Sequence, residues 1–481
     1  MRVRNIHSAQ AARSRRARLL ALPLLLSAAL AAECPGSLGS PAAASASGAT
    51  TPAPGRARAD PNTWVTTVPT GPPPSNIVTN CMVSNPQQCY TPPVLRTTYG
   101  ISPLLEKGID GRGETVTVVS PVGGQAADPS SSTSPRSAGG TQYPYPPDVT
   151  DIRKDLAAYD GEFGLPAARI EVVTNLAGSA SPWEATDEEV GNFEALHTVA
   201  PGATLRVILL PSDVVDTTAN ATSDMLAALR LAVSDTDVAS MNWGVGEHNF
   251  TAAQVAQMHS ILQWAAVHHV TVDGASGDTG AAGAEWPISD PLVKEVSLPA
   301  SDPLVLGVGG TNLTANLSTG AYIGETAMTA PGIGGLSGGG FSHLYTTPAY
   351  QRGVPATSTT RGVPDVSAVG GGLPVIFAAG GKTYMILLRG TSGSAPLWGG
   401  VLALADQYAH HDLGFVNPAL YRIAGSPAYH QAFHDVTTGS NTLTAFGVTI
   451  TGYQAGPGWD PVTGWGSPNA QVLVPLLAGR P

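Results

Sequence analysis

From about residue 92 onward, short β-branched apolar runs alternate with longer stretches of helical period. Glu114–Ser120 (ETVTVVS) reads as a strand, as do Arg169–Val173, Thr204–Leu210, Val238–Trp243 and His269–Asp273. Helices are predicted near 149–158, 184–199, 219–233 and 252–267, and a later one over Ala395–His410, just after a Gly-Thr-Ser-Gly-Ser turn. Strand–helix alternation at this spacing predicts an α/β domain with a parallel sheet covered on both faces. Active sites of such sheets collect at the carboxyl ends of the strands. No internal repeat and no domain break interrupts this pattern. The folded domain is therefore placed at 76–481.

The amino terminus follows a different logic. Residues 1–18 carry six arginines and no acid, the apolar run Leu19–Ala32 follows, and small residues close it at Ala29-Leu30-Ala31. Basic, apolar, then small is the layout of a secretory signal peptide, here 1–32. Its apolar run is too short to span a bilayer, and no other run reaches about 18 residues. Residues 33–75 are rich in Ala, Pro, Gly and Ser and read as a disordered linker. Cys81 and Cys89 flank Asn85-Pro86, so a small disulfide loop is expected in an oxidising compartment, with Cys34 left over.

Composition narrows the function. Hydrophobic residues make up 42% of the 481, enough for a sizeable core. The net charge is −11, and losing the six arginines of 1–32 would take it to −17. An acidic surface with four lysines argues against nucleic acid or an anionic membrane as partner. It suits a secreted protein that works outside the cell, at low pH.

Four groups of residues could carry chemistry. Ser392, in Arg389-Gly390-Thr391-Ser392-Gly393-Ser394-Ala395-Pro396, sits on a tight turn at a helix start, where backbone N–H groups could hold an oxyanion. The competing reading is a helix cap at Ser394, with Pro396 in the first turn. Asp278, in Ser276-Gly277-Asp278-Thr279-Gly280, follows a strand; protonated, it could donate to an oxyanion, or it could simply satisfy a turn. Glu188 and Asn192 are four apart and share a helix face, while Ser181-Pro182-Trp183-Glu184 matches a capping box that would engage Glu184. Asp435-Val436 and Gly456-Pro457-Gly458-Trp459-Asp460 bring two carboxylates and backbone carbonyls of a Gly-rich loop, an all-oxygen set that suits Ca²⁺; a pair of Asx-turns is the alternative. His197 reads as a helix residue. No His-Gly-Thr motif surrounds it, and Ser120 ends the first strand where a His-based triad would need Asp.

Taken in order, these segments resemble the sedolisin (serine-carboxyl peptidase) family over roughly 92–478. The likeness runs through Thr91-Pro92, Leu95-Arg96, Tyr99-Gly100, Ala200-Pro201-Gly202-Ala203, Asn242-Trp243-Gly244 and Ser276-Gly277-Asp278-Thr279-Gly280. It continues through Leu298-Pro299-Ala300-Ser301, Val308-Gly309-Gly310-Thr311, Gly338-Gly339-Gly340-Phe341-Ser342 and Arg361 to Pro364-Asp365-Val366-Ser367. It closes on Gly390-Thr391-Ser392, Asp435-Val436-Thr437 and Gly458-Trp459-Asp460-Pro461-Val462-Thr463-Gly464-Trp465-Gly466.

The resemblance implies a subtilisin-like α/β fold, a Ser–Glu–Asp triad, an oxyanion Asp, one structural Ca²⁺ and peptide-bond hydrolysis in acid. By motif, Ser392 would be the nucleophile, Glu188 the general base and Asp278 the oxyanion acid. Asp435, Val436, Gly456, Gly458 and Asp460 would hold the ion, and Gly244 would pair with substrate backbone. Three features depart from the family. Asn192 stands where the triad Asp belongs, Arg389 replaces a small residue, and only about 60 residues separate the signal from the first motif, too few for the family's large prodomain. The expectation is a secreted, monomeric endopeptidase acting on peptide or protein substrates. The alternative is a catalytically impaired relative that binds peptides or a protein partner.

Overall fold

The computed structural model describes residues 64–67, 88–121, 150–175, 184–185, 187–210, 218–283, 292–329, 335–354, 359–379, 382–445 and 447–479. The signal segment, Cys34 and Cys81 lie outside these residues. Within the stretch read as a linker, Trp64–Thr67 forms a strand (β1), as its aromatic and β-branched residues favour.

The central strands are β2 (Thr115–Pro121), β3 (Arg169–Asn175), β4 (Thr204–Leu210), β5 (Val238–Met241), β6 (Thr271–Ala275), β7 (Leu306–Ala315) and β8 (Tyr322–Ala327), with β9 at Val366–Val369. Among the described residues the sheet runs β1-β3-β4-β2-β5-β6-β7-β8, and β9 pairs with β7. β3 through β7 and β9 pair in parallel, whereas β1 and β8 run antiparallel at the two ends of this order. The helices α1 (Ile152–Phe163), α2 (Asp187–Val199), α3 (Thr218–Ala232), α4 (Ala252–Val267), α5 (Thr391–Ala409) and α6 (Ala470–Leu477) complete the frame.

Side chains of β2 alternate between two cores. Val116 and Val118 enter one with α2 and α5, and Val119 enters the other with α3 and α4. The expected parallel sheet with helices on both faces is what the chain forms. No helix among the described residues is long and apolar enough to cross a membrane.

Four boundaries differ from the sequence reading, each for a local reason. β6 starts two residues late because His268 caps α4 and His269 turns through a left-handed φ of 58°. β5 stops at Met241, since Val245–Gly246 leaves it to pair with Ser297–Leu298. Glu184–Ala185 pairs with Thr150–Asp151 and α2 begins at Asp187, later than read, while Ser181 of the expected capping box lies outside the described residues. α5 begins four residues early, at Thr391, with Gly390 as its N-cap. Ser394 is therefore inside the helix, and its hydroxyl donates to the Ala368 and Val369 carbonyls. The capping role offered as the rival explanation of this motif falls to Gly390, not to Ser394.

α5 is the axis of the molecule. Nearly every residue along it is buried, and it crosses β5, β6, β7 and β9 while packing against α2 and α6. The hairpin of β10 (Gly371–Ala379) and β11 (Lys382–Arg389) leads directly into it. Behind β9, the Arg361 guanidinium meets the Asp365 carboxylate with both side chains fully buried, and Tyr421 donates to the same carboxylate at 2.7 Å. The Arg361–Asp365 stretch is thus structural.

Candidate active site

Ser392 occupies the first turn of α5, 6% exposed, at the carboxyl-terminal edge of the parallel strands. Pro396, four residues on, has no N–H for the helical bond to the Ser392 carbonyl. Asp278 reaches the same place from the segment after β6. Its Oδ1 accepts from the Thr391 backbone N–H at 2.7 Å and from the Thr391 hydroxyl at 2.9 Å, and Gly277 N–H donates to that hydroxyl at 3.2 Å. A clamp on Oδ1 leaves Oδ2 as the oxygen that faces the serine. Gly390 makes this possible. Its φ is 143°, and a Cβ there would lie 2.6 Å from Asp278 Oδ2 and 2.9 Å from Ser392 Oγ. Only glycine lets the two side chains converge over that turn.

Burial pushes the Asp278 carboxyl up to about 6, against the opposing pull of the Thr391 donors. In mild acid it is a neutral acid beside a buried hydroxyl. Thr391 belongs to the motif that singled out Ser392, but its clamping role was missed. The adjacency of a β-hydroxyl to the nucleophile was the available signal.

α2 carries Glu188 and Asn192 on one face by their spacing, and packs against α5. The Glu188 side chain lies outside the described residues. Asn192 is 1% exposed, and its Oδ1 has no hydrogen-bond partner among the described residues. Two further buried acids share this helix. Glu194 accepts the Ile376 N–H at 3.1 Å and is held well above the usual carboxylate range by burial. Glu189 is buried as well. His197 is buried and faces Asp160 at 2.9 Å in the core, the helix role expected of it.

Gly244 sits at the carboxyl end of β5, where a Cβ would meet the Leu298 carbonyl at 3.1 Å and the Ala275 carbonyl at 3.5 Å. It lines the same sheet edge as Asp278, and the backbone just beyond it, Val245–Gly246, pairs internally.

At the far carboxyl end of the chain, Asp435 and Asp460 come together. Gly458 N–H donates to both Asp435 oxygens, at 3.2 and 3.1 Å. Asp460 accepts from the N–H groups of Gly456, Val462 and Thr463, and Thr463 Oγ reaches the Val436 carbonyl at 3.3 Å. The Asx-turn expected as the alternative therefore exists at Asp460. Burial raises Asp460 to about 6. The two carboxylates and the Val436 carbonyl beside them nevertheless make an oxygen donor set that fits a hard cation.

A serine at the start of a buried helix, over the carboxyl edge of a parallel sheet and facing a raised carboxyl, defines the subtilisin-like class. The sequence profile of the subtilase family matches residues 174–422. Kumamolisin of Bacillus sp. (strain MN-32) is 34% identical over 340 residues, covering 67% of this chain and 57% of that protein. Human tripeptidyl-peptidase 1 is 32% identical over 260 residues, covering 50% of this chain and 43% of that protein. The chain thus spans about half the length of the curated relatives it matches. Among solved structures, Pseudomonas sedolisin, a serine-carboxyl proteinase complexed with two molecules of pseudo-iodotyrostatin, superposes with a TM-score of 0.60 at 24% identity, covering 81% of this chain and 97% of that one. The chain belongs to the subtilase family and is a member of its sedolisin, serine-carboxyl type.

Proposed function

We propose that the chain is a secreted serine-carboxyl peptidase that hydrolyses peptide bonds in acid. The observation that carries this reading is the convergence of Ser392 Oγ and Asp278 Oδ2 over Gly390. In the reaction, Ser392 Oγ attacks the scissile carbonyl carbon and its proton passes to Glu188. The carbonyl oxygen becomes an oxyanion that accepts a hydrogen bond from protonated Asp278 Oδ2. Glu188 returns the proton to the leaving amine as the C–N bond breaks, and water then hydrolyses the acyl-enzyme by the same steps. Carboxylic acids serve here because they both take and give protons at low pH. Asn192, behind Glu188, can hydrogen-bond it but cannot share its charge. Gly244 would pair with extended substrate backbone, and a Cys81–Cys89 bridge would close a short loop near the start of the domain.

The test is hydrolysis of denatured protein and of unblocked peptides between pH 3 and 7. Activity inhibited by pseudo-iodotyrostatin, the ligand of the Pseudomonas sedolisin structure, is the expected result. Internal cuts, rather than stepwise release of tripeptides, would mark an endopeptidase. The amide of Asn192 at the triad position favours a second reading, a family member that binds peptides without cleaving them, and absence of any turnover would select it.

The Asp278 shift has a direction in pH. Its proton is present below about 6 and lost as pH rises through that value, taking the oxyanion donor with it. Asp278→Asn should hold the Thr391 donors through Oδ1 and place an N–H where Oδ2 stood. The alkaline fall of kcat should therefore move upward in the variant. An unmoved limb would assign it to another group. The same shift makes the wild-type fold less stable as pH rises from about 4 through 6.

Ca²⁺ held by Asp435 and Asp460, with carbonyls of Val436, Gly456 and Gly458, would pin the carboxyl-terminal segment onto the folded domain. Binding only to the native state must raise apparent stability. The melting temperature should fall on adding chelator, and the drop should be smaller in Asp460→Asn. Equal melting curves in wild type with and without chelator would remove the ion.

A further inference from the structure

The carboxyl edge of the sheet holds a buried carboxylate that the proposed reaction does not use. Glu295 lies two residues before Ser297–Leu298, the stretch that pairs with Val245–Gly246. Its Oε2 accepts the His248 N–H at 2.9 Å, and its Oε1 meets His248 Nδ1. On one flank a Cβ at Gly246 would overlap Glu295 Oε1, and on the other a Cβ at Gly283 would overlap Glu295 Cγ. Two glycines thus close on one side chain. Gly246 is two residues beyond Gly244, and Gly283 is five beyond Asp278. Ser297, facing the same way as Glu295, repeats the arrangement: a Cβ at Gly244 would lie 3.2 Å from its Cβ, and one at Gly277 3.5 Å from its Oγ.

The backbone runs the same way. Glu247 N–H donates to the Val296 carbonyl at 3.1 Å, and Glu295 N–H donates to the Ala281 carbonyl at 3.1 Å. Residues 295–298 therefore stand between the main chain around Gly244 and the segment that carries Asp278. An apolar side chain could fill the notch without the cost of burying a carboxylate. What the carboxylate adds is direction, since its two oxygens fix both the main chain and the ring of His248. Glu247 does not compete for these donors. Its own carboxylate takes the Ser342 hydroxyl at 2.5 Å and the His343 N–H at 2.7 Å. Asp278 has a separate hold, the Thr391 clamp, whereas Gly244 has no side chain by which to be held.

We propose that Glu295 is a positioning residue for substrate: through His248 it fixes the Gly244–Gly246 main chain in place relative to Asp278. The proposal rests on the reading above in which Gly244 pairs with substrate backbone. Because Asp278 keeps its own clamp, loss of Glu295 loosens substrate pairing and leaves the oxyanion donor aimed. The signature is a rise in KM with kcat nearly unchanged, the pattern of binding lost equally from the ground and transition states.

In the full chain, Glu295→Ala should raise KM for an extended peptide about five- to tenfold, roughly what one well-placed hydrogen bond contributes, with kcat within about twofold of wild type. The same factor should appear without turnover, in the Kd of a fluorescently labelled, unblocked peptide of the denatured substrate for Ser392→Ala with and without Glu295→Ala. A merely structural role would lower the melting temperature and leave KM and Kd of the folded protein where they were, and that result overturns the proposal. So does a fall in kcat at constant KM. Should Glu295→Ala not fold, Glu295→Gln replaces it. It keeps the volume and an oxygen for the His248 N–H but loses the charge facing the ring, so KM should rise about two- to threefold, and an unmoved KM there is equally decisive against. A wild type that binds the peptide without cleaving it overturns the peptidase reading and leaves the Kd comparison to judge Glu295. A wild type that does neither overturns both.

Discussion

Ser392→Ala abolishes hydrolysis, with kcat falling on the order of 10⁴-fold or more, while the melting curve stays where it is. Removing the nucleophile of a serine peptidase leaves only what positioning and oxyanion stabilisation supply. The side chain is small, sits 6% exposed in the first turn of α5, and an alanine there keeps the helix. The loss should therefore be chemical and not structural. Initial rates on a denatured protein at pH 4, beside thermal melts of both proteins, decide it. Retained turnover in the alanine variant would mean that a different group attacks.

Asn192→Asp should raise activity at least tenfold. An amide at 192 cannot share a proton with Glu188 as an acid there would, and a loss on the order of 10²–10³-fold relative to an acid at this position is expected. The His-based comparison loses about 10⁴ through a wrong tautomer, a penalty that a carboxylate base does not incur. The change conserves side-chain volume. Asn192 is buried, and its Oδ1 has no partner among the described residues. A carboxylic acid there gains a proton to share and sacrifices no existing bond of that oxygen. Glu194 cannot fill the role, since it lies about 240° round the helix from Glu188 and is held by Ile376 N–H. Unchanged activity in Asn192→Asp, given a Ser392-dependent wild type, would point to Glu189 or another acid. No activity in either protein would support the binding reading.

The β-branched runs made β2 through β6 legible, because a strand buried on both faces must be apolar along its whole length. Helix α5 was legible in type but not in start. Gly390 looked like a turn residue, and nothing local shows that a glycine N-cap would bring Thr391 and Ser392 into the first turn. The pairing of Ser392 with Asp278 was reachable only through the family likeness, for the two are more than a hundred residues apart and meet through β6 and β11. The Asp435–Asp460 pair was reached from residue types and spacing. The Glu295–His248 contact was not. Its members lie in connections whose convergence depends on the strand order, which composition and period do not encode.

The nucleophile rides on a helix almost wholly enclosed by the rest of the protein, where almost no residue touches water. That placement bears on how such a protein can change over generations. A substitution along α5 would disturb the larger core and the seat of the serine together. Changes of substrate preference are expected to be borne more easily by the connections at the rim of the site than by this helix. The reactive hydroxyl therefore sits where a substitution costs packing as well as chemistry.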